Sequence, residues 1–554
     1  MMGSDGFLWA NNHRDSLDNR RVGSPVMNDT TVRMGASARA GSWAVIAALL
    51  VGACAQDTAL GGDAGPPFGG SGGDGDGGGT DAGPPPPTPT TFTVALVPSG
   101  VTGVQRVNLA VPLAAGTLTD ETAVRVLAAG VELPAARRAL ARFDDGSARS
   151  IQLQVDVDVT AVASLTIELG APGQVGPALV DVSTLLAGTG AAITPRVWAV
   201  LPADVLIASE VAGALAPRAP LAGTTLDAWT SICDYDRWDT DAFLVNASAS
   251  RDVWLYDRVT AMYRGYAITG DLSPLRSAYR EAALYQRGMT IANGTATGIA
   301  VPDAATDLKY HYSQGVALHY LLTGDDRFRE AAEAISKRVA GMWDPAYDGT
   351  DEFWTERHAG FALLAHEWAR LVTDDQAAAI DARADAAVTA YLAVQAADRF
   401  GQTGADARCF AHTAGAHAEP YGGAGCSPWM SALLAEALDT HARRVGGARA
   451  TAVRRSLVQL GRSVARSGRD GSGRPLYWMG TGASPDEADD YDEHWGEAAY
   501  VVALAWSAGG RADAALRQVA DELVTGLGAH GEVGQVRSFN WQCRAAVMTP
   551  ALLQ

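Results

Sequence analysis

Residues able to carry out chemistry lie close together in a short segment just before a predicted helix. The segment is 307–312, with the sequence Asp-Leu-Lys-Tyr-His-Tyr. Tyr310 or His311 can take a proton from a substrate, and Lys309 can bind a carboxylate. Lys309 is one of only two lysines among 43 basic residues, so a lysine at this point is unusual for the chain. The alternative is a helix cap at which Tyr310 and Tyr312 pack as part of a wall.

A second segment, 351–358, opens the next predicted helix with the sequence Asp-Glu-Phe-Trp-Thr-Glu-Arg-His. Arg357 can hold a uronate carboxylate through two parallel hydrogen bonds, and His358 can act as a base. Glu356 or Asp351 can instead serve as the acid of a hydrolase. The alternative is a solvated helix start, where acidic residues are common.

The third segment is a loop rich in glycine and alanine, 409–425, that contains His412, His417 and Tyr421. Two histidines and a tyrosine in such a stretch have little reason to belong to a core. A disulfide between Cys409 and Cys426, which flank the loop, would hold these side chains in place. The alternative is an ordinary surface loop.

A fourth polar run carries Asp489, Asp490 and Asp492, whose carboxylates can bind Ca²⁺ through oxygen. The run lacks the EF-hand spacing, which favours a solvated acidic surface. His366 and Glu367 lack the second histidine that the HExxH zinc motif requires. We therefore expect no metal and no other cofactor.

Helical hairpins position these segments. Five pairs of helical runs are joined by short turns that contain Gly or Asp, such as Thr269-Gly270-Asp271. They are predicted over 256–266 with 275–289, 315–322 with 328–342, 361–372 with 377–394, 430–445 with 452–465, and 498–508 with 512–527. Each pair must bury its apolar face on its neighbours, as in repeat proteins.

An open solenoid and a closed α/α toroid both satisfy that requirement. The segments between the hairpins are long, uneven and rich in His, Tyr, Trp and Asp, and loops of this kind carry function. We therefore favour the toroid, in which the starts of successive hairpins converge on one mouth.

The part of the chain before the hairpins has the period of β-strands. Apolar and polar residues alternate over 151–159 and again over 165–169, which predicts half-buried antiparallel strands. The predicted fold class is therefore α+β: a small antiparallel β-barrel or sandwich domain over 92–200, a connector over 201–229, and a large all-α toroid over 230–554.

The N-terminal region predicts export. The apolar run 43–53 rises about 16 Å as a helix, too short to span a membrane but typical of a secretory signal. Val51-Gly52-Ala53-Cys54 resembles the lipobox of bacterial lipoproteins, with Val51 where Leu is usual, which implies lipidation of Cys54. We expect a signal peptide over 1–53, whose true start is Met34 or Met27, and a flexible Gly/Pro-rich tether over 54–91.

These features predict an outer-membrane-anchored lipoprotein of the bacterial cell envelope that faces the periplasm or the exterior. Contact with the membrane would be through the lipid anchor only. The net charge of −19 argues against a nucleic-acid partner and against binding to an anionic membrane surface.

The remaining cysteines fit an oxidising compartment. Cys233, Cys409, Cys426 and Cys543 make an even number in an exported chain. Cys409 and Cys426 flank one short loop, and a bridge between Cys233 and Cys543 would tie the start of the toroid to its end. We expect both disulfides.

Two resemblances extend these expectations. Val111-Pro112-Leu113 with Gly116, followed by 143–149, resembles the small β-barrel of rhamnogalacturonan-exolyase-type proteins, with Phe143 where Trp is usual. Tyr256-Asp257-Arg258 with Tyr263, Trp354-Thr-Glu-Arg-His358, and 427–434 resemble segments of α/α-toroid carbohydrate-active proteins over roughly 230–554. The resemblances imply a carbohydrate-active superfamily.

The first function that this combination predicts is β-elimination in a uronic-acid polysaccharide. The expected catalytic residues are Tyr310, His311, Glu356, Arg357, His358, His412, His417 and Tyr421, with Lys309, Trp354 and Trp429 binding the substrate. A glycoside hydrolase remains open, using two carboxylates from Asp307, Asp351, Glu352 and Glu356. A non-catalytic glycan-binding lipoprotein, with Trp and Tyr as sugar platforms, is the third possibility.

Overall fold

The computed structural model describes residues 90–244, 250–299, 301, 304–402, 404–417, 422–490, 492–532 and 534–554. All of them belong to one compact unit that extends from residue 76 to the end. The expected signal peptide, Cys54 and the tether up to residue 89 lie outside the described residues, as does Tyr421, while Thr91, the last residue of the expected tether, already belongs to the first strand.

Two antiparallel sheets form the first part of the unit. One has the strand order β10-β1-β7-β3-β4 and the other β2-β6-β5. The strands are β1 (Thr91–Pro98), β2 (Val104–Pro112), β3 (Val124–Ala128), β4 (Val131–Leu133), β5 (Ala135–Arg142), β6 (Ala148–Asp158), β7 (Ser164–Leu169), β8 (Leu186–Ala187), β9 (Thr194–Pro195) and β10 (Val197–Val200). Their inward side chains, such as Val94, Ile151 and Leu165, are fully buried.

The prediction that β6 is half buried holds at Asp156 and Asp158, which are exposed, but is wrong for the first part of the strand. Gln152 and Gln154, which alternate with its apolar residues, are buried too. Gln152 donates a hydrogen bond from Nε2 to Asn108 at 2.7 Å, and Ser150 donates one to the carbonyl of Leu321 at 2.6 Å. The helical body therefore covers the outer face of this sheet, and hydrogen bonds satisfy its buried polar groups.

Helices account for most of the rest. They are α1 (Ala203–Ala208), α2 (Ala228–Ile232), α3 (Arg251–Trp254), α4 (Arg258–Thr269), α5 (Leu272–Arg287), α6 (Ser313–Thr323), α7 (Asp326–Ala340), α8 (Glu356–Val372), α9 (Ala377–Ala397), α10 (Ala414–His417), α11 (Pro428–Val445), α12 (Gly447–Ser467), α13 (Trp495–Ala508), α14 (Ala514–His530), α15 (Val536–Arg544) and α16 (Thr549–Leu553). Short strands lie in the loops: β11 (Thr290–Ala292), β12 (Thr295–Gly298), β13 (His412–Thr413), β14 (Ala424–Cys426), β15 (Leu476–Gly480) and β16 (Glu487–Ala488).

The five predicted hairpins are α4/α5, α6/α7, α8/α9, α11/α12 and α13/α14. Their first helices pack against one another in chain order and form an inner layer. Such inner helices are apolar on nearly every face because they are surrounded by protein. Val501, Val502 and Leu504 of α13, for example, lie on different faces of the helix and are all buried.

The ring is closed by helices from opposite ends of the helical region. Helix α15 packs on α4, the first inner helix, and α2 packs outside α15. Cys233 directly follows α2 and forms a disulfide with Cys543 in α15. The predicted α+β class, a small antiparallel β region followed by a large α/α toroid, is confirmed.

The two ends of the ring differ. The sheet β2-β6-β5 covers the end at which α6 and α8 finish: Arg138 donates to the carbonyl of Gly324 at 2.6 Å, and Tyr320 donates to that of Leu140 at 2.7 Å. The inner helices begin at the opposite end, which we call the mouth. No helix in the described part of the chain is long and apolar enough to cross a membrane.

Candidate functional site in the mouth of the toroid

Tyr256, just before α4, has an unusual backbone. It and Asp257 both have positive φ, at 74° and 53°. Asp257 holds this conformation by accepting hydrogen bonds from the backbone of Thr260 at 3.3 Å and from that of Gly315, in the next inner helix, at 3.1 Å. Strained backbone of this kind persists where surrounding contacts over-determine it, and it is frequent at functional sites.

The Tyr256 hydroxyl accepts a hydrogen bond from Arg357 Nη1 at 3.0 Å. Burial raises the Tyr256 pKa to about 12, although the nearby positive charge of Arg357 acts in the opposite direction. The guanidinium carbon of Arg357 also lies 5.6 Å from the centre of the Trp429 ring, within the range of a cation–π contact. Arg357 is thus fixed between two aromatic side chains while part of it stays exposed.

Aromatic rings from two inner helix starts and from α15 pack beside Arg357 and Tyr256. His494 precedes α13, and its imidazole stacks on the Trp429 ring. The two ring centres are 4.8 Å apart and the angle between the ring planes is 8°. The ring centre of Trp541, in α15, lies 4.8 Å from that of His494 and 5.2 Å from that of Tyr256. Burial lowers the His494 pKa to about 3, so this ring is neutral at physiological pH and packs as an aromatic group.

His358 and Asp307 form the polar edge of the mouth. His358 Nδ1 is hydrogen bonded to the hydroxyl of Thr355, the cap of α8, at 2.6 Å. Its Nε2 has no hydrogen-bond partner in the part of the chain that the structure describes, and lies 3.6 Å from Asp307 Oδ1. Burial lowers the His358 pKa to about 4, although Asp307 favours the protonated ring. The imidazole is therefore neutral at neutral pH.

Asp307 is ionised and partly exposed. It pairs with Lys309, whose Nζ lies 2.9 Å from Asp307 Oδ2. Desolvation would raise the Asp307 pKa, but the nearby His358 imidazole and the hydrogen bond and charge of Lys309 bring it well below its usual value. About a quarter of each side chain of this pair is accessible, so both can meet a ligand in the mouth.

A buried carboxyl group lies behind the aromatic cluster. Glu497, in the first turn of α13, has two carboxyl oxygens without a hydrogen-bond partner among the described residues. Burial raises its pKa well above the ordinary value, and the charges of Asp489 and Glu493 act in the same direction. Its surroundings therefore favour the protonated form, and Glu497 Oε2 lies 4.0 Å from His494 Nδ1.

Three residues expected from the sequence to act in the site are placed below it. Glu356 and His412 are both fully buried, with Oε2 and Nε2 2.8 Å apart. Glu356 Oε1 also accepts the backbone N–H of Ser427 at 2.9 Å. Trp354 is buried against Tyr347 and donates from Nε1 to the carbonyl of Pro345 at 3.3 Å. These groups position the starts of α8 and α11, and we leave them out of the site proposed below.

The other expected residues are distributed around the mouth. Lys309, Arg357, His358 and Trp429 come together there. His311 is buried, with Nδ1 donating to the Asp307 carbonyl at 3.0 Å, and Tyr310 packs beneath the Lys309 ammonium group at 5.5 Å. His417 ends the short helix α10.

The acidic run expected as a possible calcium site has protein partners instead. Asp489 accepts the backbone N–H of His494 at 3.1 Å, and Asp492 pairs with Arg474 at 2.5 Å. A different trio, Glu333, Asp374 and Asp375, has carboxylate oxygens within 4.8 Å of one another. Asp374 also pairs with Arg329 at 2.8 Å, and such acidic groups are common without a metal.

The sequence analysis missed Glu497, His494 and Trp541 as members of this site. The sequence did contain a signal for Tyr256, since this residue opens one of the segments that resemble toroid proteins. It contained none for Trp541, because Trp541 reaches the mouth only when α15 closes the ring against α4.

Both expected disulfides are confirmed: Cys233 bonds to Cys543, and Cys409 bonds to Cys426. Two disulfides are typical of proteins in an oxidising compartment.

No protein-family model matches the chain. The search of curated proteins likewise gives no match. Among solved structures, the chain is similar to one described as polysaccharide lyase BACCELL_00875, with 11% identity and a TM-score of 0.39, over 58% of this chain and 96% of the other. It is also similar to a glycosyl hydrolase family 88 protein from Bacteroides vulgatus, with 12% identity and a TM-score of 0.39, over 58% of this chain and 98% of the other. Similarity at this level assigns no activity, so the side chains of the mouth must carry the functional argument.

Proposed function

We propose that the chain is an exported carbohydrate-active enzyme that cleaves a uronic-acid polysaccharide by β-elimination in the mouth. The observation that carries the proposal is His358: a neutral imidazole with one nitrogen fixed by Thr355 and the other unpaired beside Asp307. A base needs this state, and the adjacent carboxylate stabilises the imidazolium that forms when the base takes a proton.

Arg357 and Lys309 supply the second requirement of the reaction. The proton to be removed lies next to the carboxylate of the uronic acid, and its loss places negative charge on that group. A guanidinium or ammonium group that pairs with the carboxylate stabilises this charge. Both cations are partly accessible in the mouth, although the net charge of the chain is −19.

Tyr256 suits the role of the acid. Its hydroxyl accepts from Arg357, so its own proton is free to be donated, and its raised pKa keeps that proton in place at neutral pH. In the proposed step His358 Nε2 takes the proton beside the carboxylate, a carbon–carbon double bond forms, the glycosidic C–O bond breaks, and Tyr256 protonates the departing oxygen.

The opposite pKa shifts of Glu497 and Asp307 favour glycoside hydrolysis as the second candidate. The Glu497 pKa is raised and the Asp307 pKa is lowered, so one carboxyl group is protonated while the other is ionised at the same pH. A glycoside hydrolase needs this division between an acid and a carboxylate nucleophile or base.

One panel of uronate-rich and neutral polysaccharides distinguishes the candidates. The lyase should produce unsaturated sugar ends that absorb ultraviolet light, and His358→Gln should reduce their rate at least about 100-fold, since general bases contribute that much. Glu497→Gln should leave the rate of the lyase within a few fold.

Lys337→Gln is the matched control for Lys309→Gln, because Lys337 donates to the backbone carbonyl of Asn293 and belongs to no part of the proposed site. Loss of a cation in the mouth should raise KM for uronate polymers, whereas Lys337→Gln should not. New reducing ends without ultraviolet absorbance, abolished by Glu497→Gln, would reject the lyase in favour of the hydrolase. Polysaccharide binding with neither product would reject both.

Anchoring at Cys54 is also part of the proposal, and the lipobox-like segment with the long tether supports it. The protein should incorporate a palmitate analogue in a bacterial host, and label retained by Cys54→Ala would contradict the anchor.

A further inference from the structure

A cavity lies at the end of the toroid opposite the mouth. It has a volume of about 500 Å³ and lies between the turn after β5 and the ends of α8 and α11. We call it the basal cavity. Arg142 and Asp144 lie at its rim and are exposed, so it is open to solvent. Small-molecule sites have volumes of roughly 300–1,000 Å³, whereas one water occupies only about 30 Å³.

Arg149 is a cation in this cavity without a counter-ion. It forms no ion pair and no side-chain hydrogen bond within the described ranges, and its Nε is buried without a partner. Its guanidinium carbon lies 3.9 Å from the centre of the Phe143 ring, which fixes its position. Desolvation lowers the Arg149 pKa to about 10; Asp144 opposes this change, and Arg370 and Arg444 add to it. The side chain is still charged at neutral pH.

The other arginines that line the cavity already have acidic partners. Their closest ion pairs are Arg142 with Glu121 at 2.8 Å, Arg264 with Glu436 at 2.7 Å, Arg370 with Asp381 at 2.9 Å, Arg443 with Asp439 at 2.7 Å, and Arg444 with Glu367 at 2.6 Å. Arg149 therefore differs from its neighbours. A largely buried cation without a partner is costly, and a bound anion would remove that cost.

The remaining lining indicates an organic anion rather than an inorganic one. Trp368 is buried in the wall and its Nε1 has no hydrogen-bond partner among the described residues. Met548 and Leu552 add apolar surface, while Asp439 and Thr440 offer oxygens that can meet hydroxyl groups. A guanidinium group, an indole donor, apolar surface and several oxygen acceptors together suit a sugar that bears a carboxylate.

We propose that the basal cavity binds one carboxylate-bearing sugar, a uronic acid, through the guanidinium group of Arg149 with Phe143 and Trp368 alongside. This site is separate from the mouth and does not depend on the reaction proposed there. It would hold the end of an acidic glycan or a released uronate.

Calorimetric titration of the full chain with glucuronate and galacturonate tests the proposal, with glucose, acetate and sulfate as comparison ligands. Either uronate should bind, and Arg149→Gln should weaken it about tenfold or more, as expected for a hydrogen bond to a charged group. Arg125→Gln is the matched control, since Arg125 lies in β3 and pairs with Glu168 at 2.7 Å. This control should leave the affinity unchanged.

A second measurement on the wild-type chain covers the case in which Arg149→Gln does not fold. The arginine reagent phenylglyoxal should modify Arg149, and either uronate, but not glucose, should protect it, as read by peptide mass spectrometry. Acetate or sulfate binding as tightly as the uronates would overturn the sugar assignment. Uronate binding that is lost with Arg357→Gln but kept with Arg149→Gln would place the ligand in the mouth and overturn the site. The proposal would also be overturned if neither uronate bound to the chain and neither protected Arg149.

Discussion

At the residue scale, the contacts of Glu356 suit a structural role. Its oxygens accept from Ser427 N–H and lie within hydrogen-bond distance of His412, and the pair has no exposed surface. The carboxylate joins the start of α8 to the start of α11 and to β13.

We therefore expect Glu356→Ala to lower the free energy of unfolding by about 3–5 kcal/mol, because it removes the buried oxygens that His412 Nε2 and the Ser427 N–H contact. Glu356→Gln keeps one acceptor and should cost less. Chemical denaturation measures both. Asp351→Asn, at an exposed position in the preceding loop, is the control and should be neutral.

Activity per folded molecule separates this role from catalysis. Glu356→Gln should retain activity within a few fold once the folded fraction is taken into account. A hundredfold loss with unchanged stability would instead return Glu356 to the reaction.

At the scale of secondary-structure elements, closure of the ring rests on α2 and α15. These helices come from opposite ends of the helical region, 310 residues apart at the disulfide between Cys233 and Cys543. The other disulfide, between Cys409 and Cys426, spans only 17 residues. Trp541 of α15 belongs to the aromatic cluster, so the same closure completes the mouth.

The two disulfides should therefore differ in their effect on stability. In the loop-entropy model a bridge over the long interval contributes on the order of 5 kcal/mol and one over the short loop about 3 kcal/mol. The Cys233→Ser/Cys543→Ser variant should lose more stability than Cys409→Ser/Cys426→Ser, as measured by denaturant unfolding. It should also change the near-ultraviolet circular dichroism, since Trp541 would lose its fixed position. Equal losses in the two variants would contradict the closing role of α15.

At the scale of the whole molecule, the described residues contain five buried histidines whose pKa is lowered mainly by desolvation. The pKa falls to about 4 for His311, His358 and His366, and to about 3 for His319 and His494. A folded-state pKa below the ordinary value of 6.5 means that the unfolded chain binds more protons as the pH falls. This contribution to stability is complete above about pH 6.5 and is lost on acidification towards pH 4 and below.

We expect Tm to be nearly constant just above pH 7 and to fall between pH 6.5 and 4. His319 packs on Phe328 and is hydrogen bonded to Tyr263 at 2.7 Å, so it tests one member of the set. His319→Phe should be less stable at pH 7, because the hydrogen bond is lost, but its acid-induced loss should be about 3 kcal/mol smaller at pH 4.

His530→Gln, at the exposed end of α14, is the matched control and should keep the wild-type slope. An acid slope that His319→Phe leaves unchanged would show that histidine burial does not cause the acid sensitivity.

The elements and one cysteine pair could be predicted from the sequence because they depend on local patterns. Helical periodicity with Thr-Gly-Asp turns located the five hairpins, and alternation located β6 and β7. Cys409 and Cys426 flank one short loop, and Cys233 and Cys543, 310 residues apart, were then the two that remained to pair. Local hydrogen bonding and chain entropy act over a few residues, so the pattern that specifies such an element is contained in its own segment.

Tertiary structure decided which polar side chains face the mouth. Glu356 and Arg357 are adjacent in sequence, yet one is sealed beneath the mouth and the other opens into it, because the rotation of α8 is set by its packing on α6 and α11. Glu497 and Trp541 enter the site only through ring closure. Gln152 is buried because the helical body covers its sheet, and Gln154 is covered by the segment that contains Val180. Each of these outcomes depends on contacts between distant segments, and the free energy of those contacts is absent from any local pattern.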